Sequence, residues 1–165
     1  GPEPEPVLDV LPQDPAELIR LHGGRKRFTE HLDSLFTMYL PDSFFAETED
    51  ITREGIIGNY VHGNEPSHHV PYLYNHAGAP KKTQYWVRHI MDTKYLPAPD
   101  GLSGNDDCGQ MSAWYVWTCL GMYPLNPAGG DYVFGYPMVD GARIPVPGGK
   151  TCEIRIKRQK TGGLA

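Results

Sequence analysis

Two short loops concentrate the residue types that could do chemistry. The first reads Gly58-Asn59-Tyr60-Val61-His62-Gly63-Asn64-Glu65-Pro66-Ser67-His68-His69, and the second Gly101-Leu102-Ser103-Gly104-Asn105-Asp106-Asp107-Cys108-Gly109-Gln110. Each joins glycines, which let the backbone bend and bare its carbonyls, to Asn, Asp or Glu side chains. Carboxylate, amide and backbone oxygens are hard ligands that suit Ca²⁺ better than Zn²⁺. Both loops run into predicted helix N-termini, so simple helix capping is the alternative for the same Asp and Asn residues.

Other chemistries fall away on spacing. The 100–110 loop does not match the EF-hand pattern, and no P-loop, GxSxG or GxGxxG is present. His62, His68, His69 and His76 have neither an HExxH frame nor a cysteine partner for zinc. Cys108, Cys119 and Cys152 have no CxxC spacing, and their odd number argues against a disulfide framework. Trp86, Trp114, Trp117 and Tyr115 recur at helical spacing, which favours core over a sugar platform. A net charge of −5 gives no footprint for nucleic acid; Lys157, Arg158 and Lys160 read as a solvated tail. No apolar run approaches the roughly 18 residues of a membrane span. Gly1-Pro2 reads as a cut end, so the absence of a leader at the first residue carries no weight.

The elements that must hold these loops are mostly helical. Gly (19) and Pro (16) make up about a fifth of the 165 residues and lie between periodic segments, so shaped loops are expected. Residues 1–11 alternate Pro and Glu as an extended arm. Asp14 is the expected N-cap of a first helix, with Pro15 at N1 and Glu17 closing a capping box. Gly23-Gly24 ends it. A second helix carries Phe28, Leu32, Leu35 and Phe36 on one face. Residues 41–65 read as irregular. A third helix is expected over 66–77, with Val70, Leu73, Tyr74 and Ala77 inward, and a fourth from Pro80 with Trp86, Val87, Ile90 and Met91. A fifth, from Gln110 to Leu120, is apolar nearly all round and should be buried. Short β-rich segments follow at 132–134, 142–146 and 152–158, the last alternating as a half-buried strand.

The stretches GNYVHGNEPSHHVPYLYNHAGAPKKTQYWVRHIM and GLSGNDDCGQMSAWYVWTCLGMYP resemble the C-terminal part of the catalytic domain of glycoside hydrolase family 92, over about residues 12–157. The resemblance implies a Ca²⁺-dependent, inverting exo-α-mannosidase acting on terminal, α-1,2-linked mannose of a mannose-containing glycan. It implies a mainly α fold with a small C-terminal β region. Residues 12–124 would then be helix pairs of a partial (α/α)₆ toroid, and 125–165 short antiparallel strands and a tail. Asn64 and Glu65 correspond to family positions at the calcium and the sugar, and His68 is carried over with them as substrate-binding. Asp107 corresponds to the general base, and Asn105 to an assisting position that is often Asp. Asp106, between them, is expected to point away. Relatives usually act outside the cytoplasm, so a secreted or periplasmic location is implied.

One departure from the family pattern stands out. The family's general acid is a Glu in an EGNAWQ-like segment just upstream of Pro12, where this sequence has GPEPEPVLDVL. Glu3 and Glu5 do not restore that motif. The expectation is therefore a piece of a mannosidase that holds the base and part of the metal site. The alternative is a non-catalytic mannose- and calcium-binding remnant. Helices taken from a larger toroid would expose apolar faces and favour self-association. No nucleic-acid or membrane partner is expected.

Overall fold

The computed structural model describes residues 13–39 and 55–157. The expected arm at 1–11, residues 41–54 of the irregular stretch, and Arg158 and Lys160 of the basic tail lie outside the described residues. Helix α1 (Pro15–Leu21) begins as expected: the Glu17 N–H donates to Asp14 Oδ1 at 3.0 Å, with Pro15 in the first turn. The Glu17 carboxylate, however, accepts from Arg20 Nε at 2.7 Å, the neighbour one turn along the helix. Gly23 and Gly24, at φ 81° and 100°, end α1 and admit α2 (Arg25–Thr37), which buries Phe28, Leu32 and Phe36. Leu35 is only partly covered.

The helix expected over 66–77 is divided. Two 3₁₀ turns, Glu65–Ser67 and Val70–Tyr72, precede α3 (Leu73–His76). Pro66 and Pro71 are the physical reason. Neither has an N–H to give, and each disfavours helical backbone in the residue before it. The inward face survives the break, because Val70, Leu73, Tyr74 and Ala77 are all buried. Helix α4 (Pro80–Lys94) buries Val87, Ile90 and Met91. Helix α5 (Gln110–Cys119) corrects the expectation of burial on all sides: Met111, Trp114 and Thr118 are buried, while Val116 is 58% exposed and Tyr115 is also exposed. The described neighbours cover one face of it.

The strands form three two-stranded antiparallel pairs among the described residues. Strands β1 (Ile56–Ile57) and β2 (Tyr60–Val61) lie inside the stretch read as irregular, and two residues are too few to show an alternating pattern. Strand β3 (Met122–Asn126), also unexpected, pairs with β4 (Asp131–Phe134). Its central Pro124 is a residue that argues against a strand except at an edge. In the last pair, β5 (Gly141–Val146) and β6 (Lys150–Arg155), Ala142 faces Ile154 and Ile144 faces Cys152. Ile154 is half-buried but Cys152 is exposed, so the alternation of β6 gives only partial cover. The chain is thus helix-rich with a small antiparallel β region towards its C-terminus. Its core is aromatic: Phe36 stacks on Trp86 at 4.5 Å and Tyr72 on Tyr123 at 4.8 Å, and Trp114 is fully buried.

Candidate functional site

The two loops singled out by composition meet backbone to backbone. A Cβ on Gly63 would stand 2.5 Å from the Ser103 carbonyl oxygen, and one on Gly104 would stand 2.5 Å from Gly63 Cα. Real Cβ atoms do not approach that closely, so only glycine fits at either position. The β1–β2 hairpin supports the first loop from below, with the His62 N–H donating to the Gly55 carbonyl at 2.8 Å. The residue after each glycine is a candidate: Asn64 in the first loop, Asn105 in the second. Asn64, Asn105 and Asp107 are exposed, Glu65 is half-buried, and His68 is 1% exposed.

Beneath this contact runs a directed set of hydrogen bonds. The Tyr95 hydroxyl donates to the Met111 carbonyl at 3.0 Å, so its oxygen must accept from His62 Nε2–H at 2.7 Å. His62 Nδ1 then accepts from the Tyr60 hydroxyl at 2.8 Å. His68 donates from Nε2 to the His62 carbonyl at 3.0 Å, and its Nδ1 accepts from the Gln110 amide at 3.3 Å. Trp114 Nε1–H reaches the His68 carbonyl at 3.0 Å, and Lys94 Nζ reaches the Ile56 carbonyl at 3.0 Å. His68, with a carbonyl on one nitrogen and an amide donor on the other, is therefore neutral, and burial favours the neutral form of His62 as well.

Burial pushes His62 well below the ordinary histidine range, with His68 and Lys94 adding to the effect. Burial lowers His68 to about 4; His69 adds to this and the bond to the His62 carbonyl opposes it. The unfolded chain takes up protons at these two positions as the pH falls below about 6.5, while the folded chain does not. Their contribution to stability is therefore complete above that value and is lost as the pH falls through His68's folded value. Urea melts at pH 7.5 and pH 5.5 should show a marked loss at the lower pH. His68→Gln should reduce the slope of stability against pH by about one proton.

The second loop divides its two acidic residues. Asp106 Oδ1 accepts from the Ser112 N–H at 2.9 Å and Oδ2 from the Ser112 hydroxyl at 2.8 Å. These bonds hold its carboxyl below the usual carboxylate range and fasten it to α5. Asp107, Cys108 and Gly109 follow at φ 34°, 58° and 86°. Left-handed backbone costs an ordinary residue roughly 1–2 kcal/mol, so two non-glycine residues in succession mark a turn that the surroundings impose. It is the described residue pair with positive φ outside glycine, and it includes the candidate base.

For a calcium ion, the donor chemistry of Asn64 and Glu65 is right but the number is short. Ca²⁺ takes six to eight oxygens. Among the described residues no group of three or more His, Cys, Asp or Glu side chains could hold a metal. The two residues fit as part of a shell, not as a whole one. The sequence gives no signal for the loop-holding roles of His62, Tyr95, Lys94 and Gln110, although His62 and Gln110 lie in the two candidate loops. The His62–Tyr95 link spans 33 positions, and no local motif announces it.

The profile of the "Glycosyl hydrolase family 92 catalytic domain" matches residues 8–163. A curated relative from Arthroderma benhamiae, described as an uncharacterized secreted glycosidase, is 32% identical over 146 residues, covering 88% of this chain and 16% of the relative. The structure of a family GH92 α-mannosidase from Bacteroides thetaiotaomicron in complex with mannoimidazole is 47% identical with a TM-score of 0.78, covering 86% of this chain and 18% of that one. A family GH92 inverting mannosidase from the same species is 35% identical with a TM-score of 0.66, covering 85% and 20%. This chain therefore spans about a sixth to a fifth of the length of these relatives. No described helix is long and apolar enough to cross a membrane. The match over nearly all of its residues and the shared fold with solved members place the chain in glycosyl hydrolase family 92, to which it belongs.

Proposed function

We propose that this chain is the base-bearing part of a secreted or periplasmic, Ca²⁺-dependent inverting α-mannosidase that removes terminal α-1,2-linked mannose from glycans. Its helices 12–124 would belong to an (α/α)₆ toroid and residues 125–165 to the β region that closes it. Asp107 is the general base and takes a proton from water on the face opposite the leaving group. Asn105 can orient that water but cannot take its proton. Asn64 and Glu65 bind the sugar and contribute to the calcium shell. A bound Ca²⁺ would hold sugar hydroxyls and so help distort the ring towards its oxocarbenium-like transition state. An inverting site needs its acid roughly 6.5–9.5 Å from the base, and that acid would come from outside the family segment carried by this chain.

The observation that supports this reading most directly is the seating of Gly63 on Gly104, because it brings the neighbours of Asn64 and Asn105 onto adjoining backbone. Calorimetry tests it. Titration of Ca²⁺ into the chain should show binding that Glu65→Gln weakens at least tenfold and Asp107→Asn leaves unchanged. Equal binding by the Glu65→Gln variant would overturn the metal assignment. Incubation with α-1,2-mannobiose and Ca²⁺ should give no appreciable turnover by the chain alone; turnover comparable with a full-length relative would refute the external acid.

A further inference from the structure

Gln110 occupies a joint that the proposed reaction does not itself use. It opens α5 directly after the Asp107-Cys108-Gly109 turn and is half-buried. Its backbone N–H donates to the carbonyls of Asp106 at 2.7 Å and Asp107 at 3.2 Å, so it closes the turn that presents Asp107. Its side-chain amide donates to His68 Nδ1 at 3.3 Å. His68, at the other end of the link, lies one 3₁₀ turn beyond Glu65. The His68 N–H donates to the Glu65 carbonyl at 3.0 Å, and its ring reaches back to the His62 carbonyl. Both ring nitrogens of His68 are thereby engaged inside the protein, and the side chain has almost no exposed surface to offer a sugar.

We propose that Gln110 is a positioning residue: its backbone closes the turn that carries Asp107 while its amide holds His68, and together they set the spacing between the loop that carries Glu65 and the loop that carries Asp107. His68 serves as the receiving half of this clasp and not as a sugar contact. The catalytic consequence rests on the roles proposed above for Glu65 and Asp107, whereas the clasp is a matter of geometry alone. The bond fixes the separation because breaking it leaves the acceptor nitrogen of the buried His68 ring without compensation, at about 1–3 kcal/mol.

Hydrogen–deuterium exchange on the whole chain tests this without reference to activity. Gln110→Ala leaves every side chain of the first loop in place. It should nevertheless raise exchange at the amides of His62, Asn64 and His68 at least tenfold, together with residues 106–110, and leave α4 protected. A rise confined to 106–112 would mean that Gln110 merely opens its own helix, and would overturn the proposal. Should α4 also lose protection, Gln110→Leu keeps the volume and removes only the polar group; the same two-loop pattern is expected, and its absence overturns the clasp. His68→Gln retains a donor and an acceptor and should restore part of the protection lost in His68→Leu. A two-loop exchange pattern with calcium binding indifferent to Glu65→Gln would keep the clasp and dismiss the metal assignment.

Discussion

Asp107→Asn is expected to lower kcat by about 10²–10⁴-fold with little change in KM, the range associated with loss of general acid–base help. The protein to measure is a chimera in which residues 13–157 replace the matched segment of the 47%-identical Bacteroides α-mannosidase. Asparagine is the informative choice. It keeps the size of the side chain and tolerates the left-handed backbone found at this position, φ 34°, so only the proton acceptor is lost. Asp107→Ala would mix in backbone strain and blur the result. Asp106→Asn provides the contrast, because that carboxylate is already spent on the backbone and hydroxyl of Ser112. It should cost stability on the order of 1 kcal/mol and leave kcat within a few-fold. Full activity in the Asp107→Asn chimera would place the base elsewhere. A chimera that binds Ca²⁺ and mannose yet never hydrolyses would favour the non-catalytic remnant.

What could be read in the sequence was whatever depends on near neighbours. The N-cap at Asp14, the inward faces of α2 and α4, and the two loops rich in oxygen ligands all lie within a few residues of their own signals. What could not be read depends on partners far along the chain. Pro66 and Pro71 were visible, but the apolar spacing around them argued for one helix, and local backbone sterics prevailed over that spacing. Helix α5 is apolar on most sides, yet burial is decided by neighbours, and the described part of the chain covers only one face. Among the aromatics assigned to the core, Trp114 is fully buried while Tyr115 is exposed. The His62–Tyr95 and His68–Gln110 links join residues 33 and 42 positions apart, where no periodicity reaches. His68 shows the limit most clearly: neither its burial nor its bonds to the His62 carbonyl and the Gln110 amide could be read from HGNEPSHH.

Gly104→Ala should have the second large effect, and it tests whether the two loops are truly seated on one another. The backbone of Gly104 is not in the left-handed region, so conformational strain is not the issue. The obstacle is space: the new methyl would meet Gly63 Cα at 2.5 Å and the Gly63 carbonyl oxygen at 2.7 Å, both main-chain atoms that cannot rotate away. Overpacking of this kind typically costs 1–3 kcal/mol, and its relief requires the loops to part. A displacement near 1 Å between reacting groups can cost about 10²-fold in rate, so the Gly104→Ala chimera should lose at least that much in kcat. Ca²⁺ affinity of the 165-residue chain should fall with it, since the displaced segment leads into Asn64 and Glu65. Gly109→Ala separates space from conformation. At φ 86° with nothing within 4 Å of its Cβ direction, it should suffer a backbone penalty of about 1 kcal/mol and no collision. If both variants behave alike, the effect comes from generic loop strain; if Gly104→Ala keeps wild-type stability and affinity, the loops do not touch in solution and Asp107 has lost its neighbour across the site.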